Sequence, residues 1–151
     1  MVIHSPGRMN LFSMDDGYSV LLDYAHNPAG YEAVGQFVKN WEGDRIGVIG
    51  GPGDRRDEDL ILLGQISARL FNHVIIKEDD DKRGRENGEV ADLILKGVLS
   101  ENPDISNEII IDEKQALLTA FEKVKKDGLV VVFPESVMPT ISLIEQHQHS
   151  S

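Results

Sequence analysis

Cysteine is absent from all 151 residues, so neither a disulfide framework nor thiol chemistry is available. No apolar run approaches the roughly 18 residues needed to cross a bilayer. The opening Met1-Val2-Ile3-His4-Ser5-Pro6 lacks the cationic patch and apolar stretch of a signal peptide. Together these absences predict a cytoplasmic protein with no membrane partner. Basic residues are scarce: 15 Lys and Arg stand against 26 Asp and Glu, for a net charge of −11. Phosphate-rich polymers demand the opposite balance, which argues against nucleic acid. Several catalytic signatures are missing too. There is no Gly-x4-Gly-Lys-Ser/Thr, no Gly-x-Gly-x-x-Gly and no His cluster with zinc spacing, so no metal site is expected. Without a Walker lysine the chain has no triphosphate grip of its own.

What remains is ordinary globular composition, 40% apolar and 27% charged, in a length that suits one domain. Apolar runs of β type recur at Tyr18–Leu22, Arg45–Ile49, His73–Ile76, Glu108–Ile111 and Leu129–Phe133. They are nearly continuous Val, Ile and Leu, the pattern of strands covered on both faces. Helical periodicity fills the gaps: Ala29, Val34, Phe37 and Trp41; Leu60, Leu63, Ile66 and Leu70; Val90, Leu93, Ile94 and Val98; Ala116, Leu117, Ala120 and Phe121. A last helix is expected after Pro139, and residues 8–14 add an edge strand through the turn Asp15-Asp16-Gly17. Strands spaced about 30 residues apart are βαβ units. The prediction is an α/β, three-layer, Rossmann-like fold: a mainly parallel sheet of about six strands with helices on both faces. The domain is expected to span residues 1–145, with 146–151 as a flexible tail.

Polar loops follow nearly every apolar run, and in such folds ligands bind at the carboxyl ends of the strands. The first is Asp23-Tyr24-Ala25-His26-Asn27-Pro28. Asn27 and Pro28 are explained by helix capping. Asp23 can accept ribose hydroxyls, and His26 beside a helix N-terminus can face a phosphate; equally, the two can simply tie down the loop. The second is Gly50-Gly51-Pro52-Gly53-Asp54-Arg55-Arg56, where two guanidinium forks suit phosphate or carboxylate. A tight turn with solvated arginines is the plainer alternative. The third, Lys77 to Glu86, carries Asp79, Asp80, Asp81 and Arg83. Its carboxylates suit a cation or guanidinium, although exposed acidic loops are common. Phe133-Pro134-Glu135-Ser136 ends the last strand.

Taken together these residues resemble the C-terminal domain of the Mur ligase family, over essentially the whole chain. Pro6-Gly7-Arg8-Met9-Asn10 is similar to the family's entry into this domain, and Asp23-Tyr24-Ala25-His26-Asn27-Pro28 to its Asp-x-Ala-His-x-Pro signature. Gly50 to Asp59, Lys77 to Arg85 and Phe133 to Val137 resemble the cyanophycin branch in particular. The Gly-Lys-Gly segment of many muramyl ligases has no counterpart after the last strand, so no lysine role carries over there.

The resemblance implies a mobile lid domain of an ATP-dependent acid–amino acid ligase, inactive alone. Such a ligase forms an acyl phosphate that an incoming amine attacks. ATP and Mg²⁺ would be bound mainly by a central ATPase domain, the expected partner, and the substrates would be arginine and an acidic poly-aspartate backbone. Asp23, His26 and Asn27 would face the nucleotide. Arg55 and Arg56 would be catalytic, stabilising charge on the transferring phosphoryl group. Asp79, Asp80, Asp81 and Arg83 would bind the amino acid. From another class, a receiver-like regulatory module fits loosely through Asp23 and Asp79 but lacks a lysine after Phe133. A scaffold without a ligand is a third reading.

Overall fold

The computed structural model describes residues 5–149. Six strands alternate with five helices: β1 (Asn10–Ser13), β2 (Ser19–Leu22), α1 (Pro28–Val38), β3 (Arg45–Ile49), α2 (Asp57–Leu70), β4 (His73–Ile76), α3 (Glu89–Glu101), β5 (Ser106–Ile109), α4 (Glu113–Lys123), β6 (Leu129–Val132) and α5 (Val137–Gln148). The sheet order is β1-β2-β6-β3-β4-β5. Every pair is parallel except β1–β2, the hairpin closed through Asp15-Asp16-Gly17. This is the three-layer Rossmann-like arrangement that the alternation of apolar runs and helical periods predicts.

Alternation along each strand divides the sheet between two cores. Leu21, Ile49, Val74, Ile76, Leu129 and Val131 pack under α1, α2 and α3. Val20, Leu22, Ile46, Val48, Ile75, Val130 and Val132 pack under α4 and α5. Because both faces are covered, the central strands carry no polar side to mark the alternation. Helices α2 and α3 cross closely at Gly64 and Gly97. A Cβ on Gly97 would lie 1.8 Å from the Ile61 carbonyl oxygen, and one on Gly64 2.0 Å from that of Ile94. Only glycine fits either position.

Several expected boundaries move: β2 begins at Ser19 rather than Tyr18, and β6 ends at Val132 rather than Phe133. β5 covers Ser106–Ile109 rather than Glu108–Ile111. Its ladder does run on, since Ile110 N–H donates to Ile76 O and Glu78 N–H to Ile111 O. As the sheet's edge, β5 tolerates a polar start that hydropathy does not mark. α5 begins at Val137, before Pro139, which sits in the first turn where its missing N–H costs nothing. Residues 146–148, expected in the tail, belong to that helix. Asp15 N–H donates to Gln148 O and Gln148 Nε2 to Ser13 O, tying the helix end to the hairpin. The tail residues 150–151 lie outside the described residues. No helix among the described residues is long and apolar enough to cross a membrane.

Candidate functional site

Parallel strands place their following loops on one rim. The loops after β2, β3, β4 and β6 converge there on a cleft of about 340 Å³. The crossover supports this placement: β6, made last, inserts between β2 and β3, the kind of switch point at which α/β sheets open a crevice. His26, Arg55, Asp79, Asp81, Arg83 and Glu135 line the cleft. Asp23, His26 and Asn27 line a neighbouring hollow of about 480 Å³ on the same rim. His26 belongs to both, so the Asp23, His26 and Arg55 positions share one edge of the molecule.

In the loop after β2, most polar groups are committed to backbone. Asp23 Oδ1 accepts from Ala25 N–H (2.9 Å) and Oδ2 from Met9 N–H (3.0 Å). Asn27 is the N-cap of α1, accepting from Gly30 N–H at 2.8 Å, and Pro28 opens the helix. His26 Nδ1 lies 3.1 Å from Tyr24 O, so it carries the proton and donates. With Nδ1 donating to a carbonyl, Nε2 becomes a second donor only when the ring is protonated.

The Gly-rich loop after β3 approaches the β4 loop too closely for any side chain at Gly53, whose Cβ would lie 2.1 Å from Lys82 O. Arg85 clamps the two loops, donating to Gly53 O and Arg55 O at 2.8 Å each and pairing with Asp57 at 2.8 Å and with Glu89. Within this frame Arg55 lines the cleft. Arg56 does not: it pairs with Glu58 and Asp59 at 3.3 Å each on the exposed start of α2. Adjacent residues point apart, and the acidic first turn of the helix takes the second guanidinium.

The loop after β4 separates its acidic residues. Glu78 is buried; it accepts from Gly88 N–H (2.9 Å) and Ala91 N–H (2.8 Å) at the start of α3 and from Lys82 Nζ (3.2 Å). Burial alone would raise its pKa, but these donors outweigh burial and hold it below the ordinary carboxylate value. Asp79 lines the cleft, with Oδ1 3.2 Å from Lys77 Nζ. Desolvation raises its pKa, more than Lys77 lowers it, and Glu135 and Glu113 add to the rise. Asp80 lines a different hollow, beside Asp112 and Leu117. Its N–H donates to Glu135 Oε1 at 2.7 Å. Arg83 bridges Asp54 (3.1 Å) and Asp81 (3.0 Å), with its own backbone left-handed at φ 52°.

Sequence reasoning gave no role to Lys77, Glu113, Glu135 or Tyr31. Lys77 is 2% exposed yet lines the cleft, 2.7 Å from Glu113 Oε1. Tyr31, stacked on Phe133 at 3.9 Å, donates its hydroxyl to Gly50 O (2.7 Å) beneath the second loop. A lysine directly after an apolar strand is the one signal that points to the first. Among the described residues no three His, Asp or Glu side chains converge on a metal position. The residues present therefore do not form a metal cage by themselves.

A mostly parallel sheet with a mixed-charge cleft over its carboxyl edge is a Rossmann-like arrangement. The chain belongs to the Mur ligase, glutamate ligase domain family, whose model matches residues 7–136. It is 65% identical over 147 residues to cyanophycin synthetase of Geminocystis herdmanii (strain PCC 6308), covering 97% of this chain and 17% of that protein. It is 35% identical over 128 residues to UDP-N-acetylmuramyl-tripeptide synthetase of Borreliella burgdorferi, covering 83% of this chain and 25% of the other. The fold matches E. coli FolC in complex with DHPP and ADP with a TM-score of 0.71 at 19% identity, over 94% of this chain and 32% of that one. The chain thus spans about a sixth of the length of the cyanophycin synthetases it resembles. Family membership replaces the receiver-like reading.

Proposed function

We propose that the chain is the C-terminal lid domain of an ATP-dependent ligase of the cyanophycin synthetase kind. The single observation that carries this reading is the cleft, where the family's signature loop meets Arg55, Asp79 and Asp81 on one rim. The parent enzyme converts a substrate carboxylate and ATP to an acyl phosphate and ADP. The amine of an incoming amino acid then attacks the acyl carbon, phosphate leaves, and an amide forms. ATP is gripped by a central ATPase domain, and Mg²⁺ is assigned there as well. This domain completes the site on closure and excludes water.

Within that division of labour, Arg55, whose guanidinium has no hydrogen-bond or ion-pair partner among the described residues, lines the cleft to stabilise charge on the phosphoryl group or acyl phosphate. Arg56, spent on α2, is not assigned this role. His26, lining both the cleft and the neighbouring hollow, contributes to phosphate contact. Asp23 and Asn27 act by holding the loop that presents His26. Asp79, with one oxygen open, receives the cationic amino acid, for which arginine fits best because carboxylates pair strongly with guanidinium; Asp81, whose two oxygens meet the Arg83 N–H and guanidinium, acts by holding Arg83 at the cleft. Asp80 supports them through its N–H. The growing acidic backbone approaches past Arg55 and Arg83.

The test is kinetic, on the whole ligase. Asp79→Asn raises the KM for arginine by about tenfold or more and Asp81→Asn by less, with the KM for ATP little changed. Unchanged arginine KM in both variants would overturn the assignment.

A further inference from the structure

We infer that Lys77 is the positioning residue of the amino-acid subsite: its buried ammonium fixes the Asp79 carboxylate and, through Glu113 and Glu135, the loop that carries Asp79 to Asp81. This rests on the reading of the cleft given above.

Lys77 leaves the end of β4 with its side chain 2% exposed. Its stem runs over Gly50, where a Cβ would lie 3.0 Å from Lys77 Cε. Burying an ammonium is costly unless its charge is met. Here two carboxylates meet it: Glu113 Oε1 at 2.7 Å and Asp79 Oδ1 at 3.2 Å. Glu113 does more than neutralise. The same Oε1 accepts from Glu135 N–H at 2.9 Å, and Oε2 accepts from the Thr140 hydroxyl at 3.3 Å. Glu135 in turn accepts from Asp80 N–H at 2.7 Å and from Asp81 N–H at 3.4 Å. One chain of charge-assisted bonds thus runs from β4 through the start of α4 and the loop after β6, and back to the β4 loop. Networks of this kind in a low-dielectric setting are stronger than isolated pairs and leave little freedom of orientation.

Asp79 is held through one oxygen only. Oδ1 takes the lysine, and Oδ2 makes no hydrogen bond to the described residues. A ligand cation entering the cleft therefore meets a carboxylate already turned and partly desolvated. Lys77 borders the cleft with its ammonium held by two carboxylates, so its effect on chemistry runs through Asp79 and Glu113.

Kinetics on the whole ligase test this. In Lys77→Met the KM for the incoming amino acid rises about tenfold or more, as misplacement of a binding group predicts, while the KM for ATP holds within about twofold. Lys77→Arg recovers part of the loss. Because Lys77→Met leaves the half-buried Glu113 without its cation, the double variant Lys77→Met/Glu113→Gln carries the same measurement if the single variant is insoluble. An independent readout uses the 151-residue chain: the Asp79 side-chain carboxyl, followed by ¹³C NMR, titrates at higher pH in the variant than in the wild type. An unchanged amino-acid KM, or an equal rise in both KM values, overturns the inference. If Asp79→Asn raises that KM and Lys77→Met does not, the Lys77 role alone falls. If Asp79→Asn has no effect, the reading of the cleft falls first.

Discussion

The loops after β2 and β4 both place carboxylates on the same rim, yet they use them in opposite ways. Asp23 gives both oxygens to backbone N–H groups, one within its own loop and one on the approach to β1. Asp79 gives one oxygen to Lys77 and keeps the other toward a cleft. Desolvation raises the Asp79 pKa above its ordinary value, as is common for carboxylates in binding clefts. An acidic residue at a strand end is therefore not by itself a ligand group. What separates scaffold from site is how much of its hydrogen-bonding capacity the fold has already consumed. Glu78, next to Asp79, sharpens the point: it is wholly consumed by the start of α3 and Lys82.

The largest effect should come from that consumed carboxylate. Glu78→Ala strands two N–H groups and an ammonium that are sheltered by the fold, and should cost about 3 kcal/mol or more in urea unfolding. Its contribution has a defined pH sense. The folded pKa is lowered, so the stabilisation is present above the unfolded value and is lost as pH falls through the folded one. The gap between wild type and Glu78→Ala should accordingly close in acid. A loss below about 1 kcal/mol at neutral pH would dissolve the distinction between Glu78 and Asp79.

Asp23→Ala comes next. One part-buried backbone donor, Ala25 N–H, and one exposed donor, Met9 N–H, lose their acceptor, for a cost of about 1 kcal/mol. The same change in the whole ligase should lower turnover by displacing His26 rather than by removing a ligand contact. A stable Asp23→Ala chain with full loss of nucleotide binding would reverse the contrast, making Asp23 the site and not the scaffold.

Much of this was legible in the chain itself. The central strands and four helices are visible because burial on both faces writes long apolar runs, and βαβ spacing leaves few topologies. The rim was legible for the same reason, since parallel strands must deliver their loops to one end. Three things were not. Arg55 and Arg56 look equivalent until the helix start at Asp57 claims one of them. Asp79, Asp80 and Asp81 form a single acidic run until backbone direction sends Asp80 toward α4. Lys77 looks like surface charge until the partners that permit its burial appear, and Glu113 and Glu135 lie 36 and 58 residues further along the chain. Hydropathy and spacing register what a residue prefers, whereas these assignments depend on which groups meet across distant loops.

The smallest expected effect is the most discriminating. Asp79 has a raised folded pKa, so folding favours its protonated form. Stability attributable to it is fully present below the unfolded pKa and is lost as pH rises through the folded value. At neutral pH the ionised carboxylate is a burden on the fold. Asp79→Asn removes that burden and leaves Lys77 its stronger partner, Glu113 at 2.7 Å. The variant should therefore be no less stable than wild type at pH 7, with any advantage shrinking as both proteins are taken toward acid. Thermal unfolding across that range measures it. A neutral-pH loss as large as that of Asp23→Ala would show that Asp79 is scaffold after all, whereas a held or raised Tm combined with a damaged amino-acid KM is the behaviour of a carboxylate kept for binding.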